Sequence, residues 1–485
     1  MSAIPVTPDP TRAMTGAPAA SPLGQWSWAI FEWARNPYVI LITIYIFAPY
    51  FTATVVGDPV RGQALWGRIN GTGGLVIALL SPILGAIADS GGRRKPWIAA
   101  WICVMAPTSF CLWFALPSGA GLSLAWIAFF LIANSVAFEF SAVFHNAMLP
   151  SIAPRERVGF LSGLGLALGN AGSLLILVFM LWAFTLPGHV TWGFVPEHAL
   201  FGLDTAAHQH DRITGPIAAV WLLVFALPLL LFTPDVARGT RPPLEAVREG
   251  FRSVRRTLAS LRHFRNIATY LAARMAYNDG KTAVLVFGGV YAVGIFGWDA
   301  LTMTVYGIVL SVFAVAGGIF GGFLDDRFGS KSAILISIGG TSLGLILALS
   351  ITPTMLFFVI PWDPATAGRL WDLPFFATVP ELLYLCVVIL VAIFITAAYA
   401  NSRTMLARIA PPEMMTEFFG IYSLSGTATT WLSAFSVSFF TSLFQSQRAG
   451  FASILIFLGV GLVGMLFVKE ERSRALGVIE RPTRS

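Results

Sequence analysis

The sequence predicts an all-α, polytopic membrane protein with twelve transmembrane helices, arranged as two pseudo-symmetric bundles of six. Three observations lead to this fold class: the composition, a series of long apolar stretches and an internal repeat. Of the 485 residues, 56% are hydrophobic and only 11% are charged, whereas a soluble domain carries about 25% charged residues. The composition therefore excludes an ordinary water-soluble protein.

Apolar stretches of about 20 residues recur along the chain, and each is long enough to cross a hydrocarbon core about 30 Å thick as a helix. The twelve predicted spans are Ser27–Thr52, Ala64–Ala88, Pro96–Leu116, Leu122–Leu149, Val158–Phe184, Gly215–Phe232, Ile267–Phe296, Leu301–Phe323, Ser332–Ser350, Val379–Tyr399, Phe418–Phe444 and Phe451–Val468.

The spans divide the chain into five segments. The first is rich in Pro, Ala, Ser and Thr and lacks the apolar core of a signal peptide, which predicts a disordered tail. We predict, in order, a cytoplasmic tail, a six-helix bundle, an amphipathic linker helix, a second six-helix bundle and a second cytoplasmic tail, at residues 1–25, 26–234, 235–266, 267–468 and 469–485.

The predicted linker has apolar residues at helical spacing on one face and arginines on the others. This pattern is typical of a helix that lies on the anionic surface of a membrane. Charge alone also allows a calmodulin-like or nucleic-acid partner, but the flanking spans place the linker beside lipid, and we expect no nucleic-acid partner. The apolar face comprises Leu244, Val247, Phe251, Val254, Leu258 and Leu261.

The distribution of basic residues predicts the orientation. Most of the 31 Lys and Arg residues fall in the tails, the linker and the loops on the same side as the tails. Basic loops stay in the cytoplasm, so we expect both termini to be cytoplasmic and the protein to lie in the cell (inner) membrane.

The two halves of the chain repeat each other. GAIADSGGRRK follows the second span and GFLDDRFGSK follows the eighth, and MLPSIAP and MLARIAP echo each other after the fourth and tenth spans. Asn36 and Asn278 form a weaker third pair. Two six-helix halves of the same orientation are typical of one class of secondary transporters, whose substrate site lies near the midplane between the halves. In the first pair, Gly85, Asp89, Gly92 and Arg94 match Gly322, Asp326, Gly329 and Lys331.

The G-x-x-x-D-x-x-G-[RK]-[RK] pattern at Gly85–Arg94 resembles the hallmark loop of the major facilitator superfamily. Four further stretches resemble the branch that contains the vacuolar amino-acid effluxers of autophagy and their bacterial relatives: WAIFEWARNPY, LPSIAPRERVGFLSGLGLALGNAG, MAYNDG and RTMLARIAPPEMMTEFFGIYSLSG. The resemblance implies the major facilitator fold, export of amino acids, and contact between the fifth and eighth helices across the halves. Arg35, Asn36 and Lys281 depart from the branch pattern.

The two repeated loops are predicted to act as a conformational latch, a role that the resemblance also implies. Their carboxylates can pair with the neighbouring basic residues and with helix N-termini across the two halves. The alternative is a pair of basic loops with a tight glycine turn that only set the topology. The predicted latch residues are Gly85, Asp89, Gly92, Arg93, Arg94, Asp326, Gly329 and Lys331.

Ionisable residues inside the spans are costly, so each is a candidate for function. We expect cations to hold an anionic group of the substrate while a carboxyl group takes up and releases a proton, with Glu139 as the best proton site because it has no partner nearby in sequence. These residues are expected to meet in one polar cavity. The alternative is that Glu32–Arg35 and Asp279–Lys281 are ion pairs that only fix helix packing. The candidates, with Ser135 and His145 beside them, are Glu32, Arg35, Asn36, Glu139, Asn146, Arg274, Asn278, Asp279 and Lys281.

Several glycines are spaced four apart on the fifth and eighth spans, which allows close helix packing or, alternatively, dimerisation. These are Gly159, Gly163, Gly165, Gly169, Gly317, Gly318, Gly321 and Gly322.

The sequence lacks the motifs of the common enzymes and cofactor sites. Cys103, Cys111 and Cys386 have no C-x-x-C spacing, and there is no phosphate-binding loop, nucleophile elbow or H-E-x-x-H motif. We therefore expect no enzyme activity, no cofactor and no metal. His208 and His210 could bind a transition metal, but a solvated polar loop is the preferred interpretation.

These observations predict a secondary active transporter that moves a small polar solute by alternating access, with protons as the coupling ion and amino acids or related metabolites as exported substrates. Its expected partners are the lipid bilayer, the substrate and protons, and we expect a monomer. Two alternatives remain open: efflux of amphipathic or lipid-like compounds, and a transporter-like sensor that moves no solute.

Overall fold

The computed structural model describes residues 11–89, 92–235, 261–364, 368–410 and 415–470, and it is almost entirely helical in these ranges. The N-terminal half contains α1 (Pro22–Tyr38), α2 (Pro59–Asp89), α3 (Lys95–Cys111), α4 (Leu124–Ile152), α5 (Arg155–Met180) and α6 (Thr214–Phe232). The C-terminal half contains α7 (Arg265–Phe296), α8 (Ala300–Phe328), α9 (Ser330–Ser350), α10 (Val379–Ile409), α11 (Met415–Thr427), α12 (Thr430–Phe444) and α13 (Ile454–Phe467). A short hairpin of β1 (Met355–Leu356) and β2 (Ile360–Pro361) precedes α10.

Eleven helical segments in the described ranges are long and apolar enough to cross a membrane. The eleventh predicted span, Phe418–Phe444, is not one helix: α11 ends at Thr427 and α12 begins at Thr430. Thr429 leaves helical geometry, with φ −121° and ψ 1°. The expected twelve crossings are thus made by eleven continuous segments and one broken one.

The first span is irregular because of its prolines. Pro37 lies inside α1 and has no N–H to donate to the carbonyl of Trp33. The indole of Trp221 on α6 donates to that carbonyl instead, at 2.9 Å. Beyond α1 the chain continues through two π-helical turns, Val39–Tyr45 and Phe51–Val55. The carbonyl that the proline leaves without an intrahelical donor thus forms a hydrogen bond between α1 and α6.

The prediction of a disordered tail over residues 1–25 is wrong for the part that the structure describes. Backbone N–H groups of Met14, Thr15 and Ala20 donate to carbonyls at the end of α4, at 2.9–3.3 Å. The last carbonyls of a helix lack intrahelical partners, so this segment satisfies them. Residues 1–10, the linker residues 236–260 and the tail 471–485 lie outside the described residues.

The two halves repeat each other's contacts. The indole of Trp28 on α1 donates to the carbonyl of His145 on α4 at 2.9 Å, and the hydroxyl of Tyr270 on α7 donates to the carbonyl of Ser402 on α10. Since α7 and α10 are the counterparts of α1 and α4, the sequence repeat corresponds to a repeat of side-chain contacts.

The first and last residues that the structure describes, from residue 11 and up to residue 470, lie near one end of the bundle, which we call the terminal face; the other end is the opposite face. Contacts between the halves cluster towards the opposite face. There Gln63 on α2 donates to the hydroxyl of Thr441 on α12 at 2.8 Å, and Gly67 and Gly71 lie against Ser438 and Phe435.

The glycine pairs pack mainly within each half. Gly165 and Gly169 on α5 lie against α1, and Gly317 and Gly321 on α8 lie against α10. The glycines nearer the terminal face would meet no atom within 4 Å even if a Cβ were added. The halves thus contact each other at the opposite face, and open space lies beside these glycines near the terminal face. The glycines with open space are Gly159, Gly163, Gly318 and Gly322.

Candidate functional site

A buried charged cluster lies between α1 and α4 in the N-terminal half. Glu32 and Arg35 form the predicted i,i+3 ion pair at 3.0 Å. The Nδ1 atom of His145 is 3.4 Å from the other carboxylate oxygen of Glu32, and its ring stacks on Trp28 with centroids 4.3 Å apart. The guanidinium of Arg35 also lies 4.4 Å from the centre of the Phe138 ring. Arg35 is thus held by a carboxylate and an aromatic face.

Glu139 on α4 lies close enough to this cluster to interact electrostatically with Arg35 and Glu32. Within the described part of the chain, its carboxylate has no hydrogen bond or ion pair, as the sequence predicted. Asn146, in contrast, is exposed. It is His145, one residue earlier and about 100° around the helix, that faces the cluster.

A second cluster lies between α7 and α11 in the C-terminal half. Arg274 donates to the carbonyl of Tyr422 at 2.7 Å and to the hydroxyl of Ser425 at 2.6 Å. Its guanidinium lies 3.4 Å from the centre of the Tyr422 ring. The amide of Asn278 donates to the carbonyl of Gly426 at 2.9 Å. Because α11 ends at Thr427, the carbonyl of Gly426 lacks an intrahelical partner, and Asn278 of α7 binds it.

Asp279 is buried at the break between α11 and α12. Its carboxylate is near the hydroxyl of Thr429. Among the described residues, neither its Oδ1 atom nor the Thr429 hydroxyl has a hydrogen-bond partner.

Lys281 is 1% exposed, and its Nζ atom has no hydrogen-bond partner in the described ranges. The ammonium group lies 3.6 Å from the centre of the Tyr399 ring and 5.2 Å from that of Tyr277. The suggested Asp279–Lys281 pair is therefore wrong, because residues two apart point to different sides of a helix. The contact of Lys281 with Tyr399 could not be predicted from residue spacing, because Tyr399 lies on another helix, α10.

The two clusters lie on different halves, and the structure shows no bond between them among its described residues. That the candidates meet in one polar cavity stays a prediction. A cavity of about 40 Å³ does lie between the halves, nearer the opposite face. Its lining is mostly apolar and includes Tyr45, Tyr306 and Tyr384.

The repeated loops contain a pair of helix caps that the sequence analysis missed. The carboxylate of Asp235, just after α6, accepts from the backbone N–H groups of Arg94 and Lys95 at 3.0 and 3.1 Å. The carboxylate of Glu470, just after α13, accepts from those of Ser330 and Lys331 at 2.9 and 3.0 Å. Each half thus caps the start of its third helix with an acidic residue that follows its last helix.

These caps correct the alignment of the two loops. The Nζ atom of Lys95 donates to Leu230, and that of Lys331 donates to Leu466, at 3.0 and 2.9 Å. Lys95, not Arg94, is therefore the structural counterpart of Lys331. The sequence match was off by one, because Lys331 and Lys95 are 236 residues apart and the glycine and aspartate match used an offset of 237.

The predicted Asp326 is exposed, and its neighbour Asp325 takes the buried position. Arg408 on α10 pairs with Asp325 and with Glu470, at 2.9 Å in each case. Burial alone would raise the pKa of Glu470, but hydrogen bonds from Lys331, Arg408 and Ser330 hold that pKa below its usual value.

The other predicted latch residues are placed as follows. Arg94 donates to the hydroxyl of Ser151 at 2.8 Å, within the N-terminal half. Arg93 is exposed, and Gly85 and Gly92 have open space around them. Gly329 has φ +84°, which favours glycine, and Glu470 lies too close for a Cβ. The side chain of Asp89 lies outside the described residues.

Comparison with known proteins identifies a family whose model matches most of this chain. The family model described as "Vacuole effluxer Atg22 like" matches residues 69–476. An uncharacterized MFS-type transporter of Bacillus subtilis, YxiO, is 22% identical over 450 residues, which cover 92% of this chain and 95% of that protein.

Solved structures agree at the level of the fold. A D-xylose–proton symporter superposes with a TM-score of 0.63 and 12% identity, covering 92% of this chain and 97% of that one. An inward-facing, unoccupied bacterial homolog of the human lysosomal transporter Spinster superposes with a TM-score of 0.58 and 14% identity, covering 93% and 98%. The predicted major facilitator fold is confirmed.

Proposed function

Because the chain belongs to the family of Atg22-like vacuole effluxers, we propose that it is a secondary active transporter that moves a small polar solute by alternating access. It is a multi-pass membrane transporter of the major facilitator type and not an enzyme, like the relatives that it matches. The proposed substrates are amino acids or related metabolites, and the proposed mode is export coupled to protons.

The observation that carries the proposal is the position of Glu139. A carboxyl group in the middle of a membrane span is costly unless it is paired or protonated. Glu32 already pairs with Arg35 and approaches His145, so Arg35 already has a carboxylate partner. Glu139 is left beside the pair with no hydrogen bond or ion pair among the described residues. Such a group suits a proton carrier, since neutralising it removes the cost of burial.

The charges of the two clusters suit a zwitterionic solute. The cluster on α1 and α4 contains Glu32, Arg35 and Glu139, and so carries an excess of acidic groups. The cluster on α7 carries Arg274 and Lys281 against Asp279, and so an excess of basic groups. When the halves close on each other, an ammonium group can face the first cluster and a carboxylate the second. This arrangement would bind an amino acid across the two halves.

We further propose that the terminal face is cytoplasmic and that the protein lies in the cell membrane. Most of the Lys and Arg residues that the structure describes lie at that face, as the positive-inside rule requires. Open space beside the glycines at that face suits a state that admits solute from the cytoplasm. Fusing a reporter that is active only in the cytoplasm to the C-terminus would test the orientation; an inactive reporter on a folded fusion would reverse it.

The apolar cavity between the halves favours a second candidate, an amphipathic solute. Its lining of Tyr45, Tyr306, Tyr384 and aliphatic side chains could hold an apolar group but offers few polar contacts. This candidate predicts that transport rates rise with the size of the apolar part of the solute.

The decisive experiment is solute-driven proton movement in proteoliposomes. Purified protein would be reconstituted with a pH-sensitive dye and tested with amino acids, peptides, sugars, organic anions and amphipathic compounds. Glu139→Gln should abolish the proton signal. Glu197→Gln, the same change in the exposed loop before α6, is the matched control and should leave the signal intact.

A proton signal that survives Glu139→Gln would contradict the assigned proton site. Silence across the panel, with no tracer flux from folded protein, would contradict the transport proposal and favour a sensor.

A further inference from the structure

Three side chains with metal-binding atoms converge at the opposite face, where the loop after α5 leads into α6. His208, His210 and Asp211 each offer one such atom, and these atoms all lie within 4.8 Å of one another. The Oδ2 atom of Asp211 is 3.0 Å from Nδ1 of His208 and 3.5 Å from Nε2 of His210. The carboxylate thus touches both imidazoles.

We propose that these three residues form a binding site for a divalent transition metal ion such as Zn²⁺. Two imidazoles and one carboxylate are a donor set that zinc favours, and three protein ligands leave a fourth position for water. Tetrahedral ligands about 2.1 Å from one ion stand about 3.4 Å apart, so side chains whose atoms lie up to 4.8 Å apart close the site by moving together by about 1.4 Å. This inference does not depend on the proposed transport function.

The carboxylate at the centre of the site is held in place. The side chain of Asp211 is 8% exposed, and the hydroxyl of Thr214 donates to its backbone carbonyl at 2.6 Å. The adjacent Arg212 donates to the carbonyls of Trp113, His208 and Ala207, at 3.0 to 3.4 Å. Its guanidinium is therefore engaged with backbone oxygens, and the imidazoles are the described partners of the carboxylate.

The histidines are also positioned. His208 has φ +53°, a conformation that non-glycine residues rarely adopt, and its ring lies 5.6 Å from that of Tyr50. The Nδ1 atom of His210 is buried and has no hydrogen-bond partner among the described residues. A metal ion bound here would hold together the short segment His208–Asp211, which immediately precedes α6, beside Tyr50 at the end of the first span.

Zinc binding by the full-length protein tests the proposal. The protein would be purified in detergent through a tag without histidines and stripped with a chelator before Zn²⁺ is titrated in. The wild type should bind one equivalent of Zn²⁺ more tightly, by at least tenfold, than Asp211→Asn or His210→Ala. His189→Ala and His198→Ala change exposed histidines of the same loop, so they are matched controls and should bind like the wild type.

Cobalt(II) in place of zinc reports the ligands directly. Visible absorption bands without a thiolate charge-transfer band would exclude Cys103, Cys111 and Cys386 as the ligands. Equal binding by the wild type and His210→Ala would overturn the proposal, as would equal losses in His198→Ala and His210→Ala. If Asp211→Asn fails to fold, the His210→Ala titration decides the question.

Discussion

The two halves share a fold and a set of contacts, but they treat buried charge in opposite ways. In the N-terminal half, Glu32 neutralises Arg35 on the same helix. In the C-terminal half, Arg274 occupies the place of Glu32, four residues before the repeated asparagine, and it binds a backbone carbonyl and a hydroxyl instead of a carboxylate. The comparison shows that the repeat keeps an ionisable residue at the same helix position, whereas the sign of its charge differs between the halves.

The difference extends to the neighbouring helices. α5 passes Gly169 without a break, and the amide of Asn36 lies close to that glycine. Its counterpart Gly426 lies at the end of α11, where Asn278 binds its carbonyl. Interrupted helices in membranes are tolerated where other groups satisfy the freed backbone. The break in the C-terminal half thus frees the carbonyl that Asn278 binds, while Arg274 binds the carbonyl of Tyr422 and the hydroxyl of Ser425 within α11.

Removing Arg274 should give the largest effect. Arg274→Ala leaves the carbonyl of Tyr422 and the hydroxyl of Ser425 without their guanidinium and removes the proposed anchor for a carboxylate. We expect solute flux in proteoliposomes to fall by about a hundredfold, equivalent to about 2.7 kcal/mol. Arg327→Ala, at an exposed position on α8, is the control. Flux within twofold of the wild type would show that the C-terminal cluster is only structural.

The ion pair of the N-terminal half should behave as a unit. Arg35→Met alone leaves Glu32 as a buried, uncompensated charge and should destabilise the protein by about 3 kcal/mol. The double variant Glu32→Gln/Arg35→Met removes both charges and should recover most of that loss. Thermal unfolding in detergent measures the cycle. Additive losses would mean that the two side chains do not interact.

In the C-terminal half, removing the buried charge of Lys281 should stabilise the protein. Its ammonium rests on aromatic rings without a hydrogen-bonding partner in the described structure, so Lys281→Met removes an unpaired buried cation. We expect the melting temperature to rise by a few degrees, equivalent to about 1 kcal/mol, while transport falls. A lower melting temperature would indicate that the cation–π contacts outweigh the cost of burial.

The smallest effect concerns the helix caps. Glu470→Gln should cost about 1 kcal/mol at neutral pH, the usual size of a lost N-terminal cap. The pKa of Glu470 is lowered in the folded protein, so its contribution is present above pH 4.5 and is lost as the pH falls through the lowered pKa. The difference in melting temperature between wild type and variant should therefore shrink in acid. A difference that stays constant with pH would contradict this account.

The spans and the Glu32–Arg35 pair could be predicted because they depend on local spacing along one helix. The break after Thr427 could not, since a similar Ser, Gly and Thr cluster, SIGGTSLG, lies inside the unbroken α9. The partners at the break, Arg274 and Asn278, come from α7. His145 and Asn146 are neighbours at the edge of one helical stripe, and only packing decides which of them faces inward. Asp235 and Glu470 each lie about 140 residues from the helix start that they cap.

The contact between residues 11–20 and the end of α4 has a consequence for biosynthesis. This segment leaves the ribosome before α4, but its partners are the carbonyls of Pro150, Ile152 and Ala153. It must therefore remain without these bonds while the first four spans are inserted. Once they are in place, its docking completes the end of α4 and marks the point at which the first part of the chain is assembled.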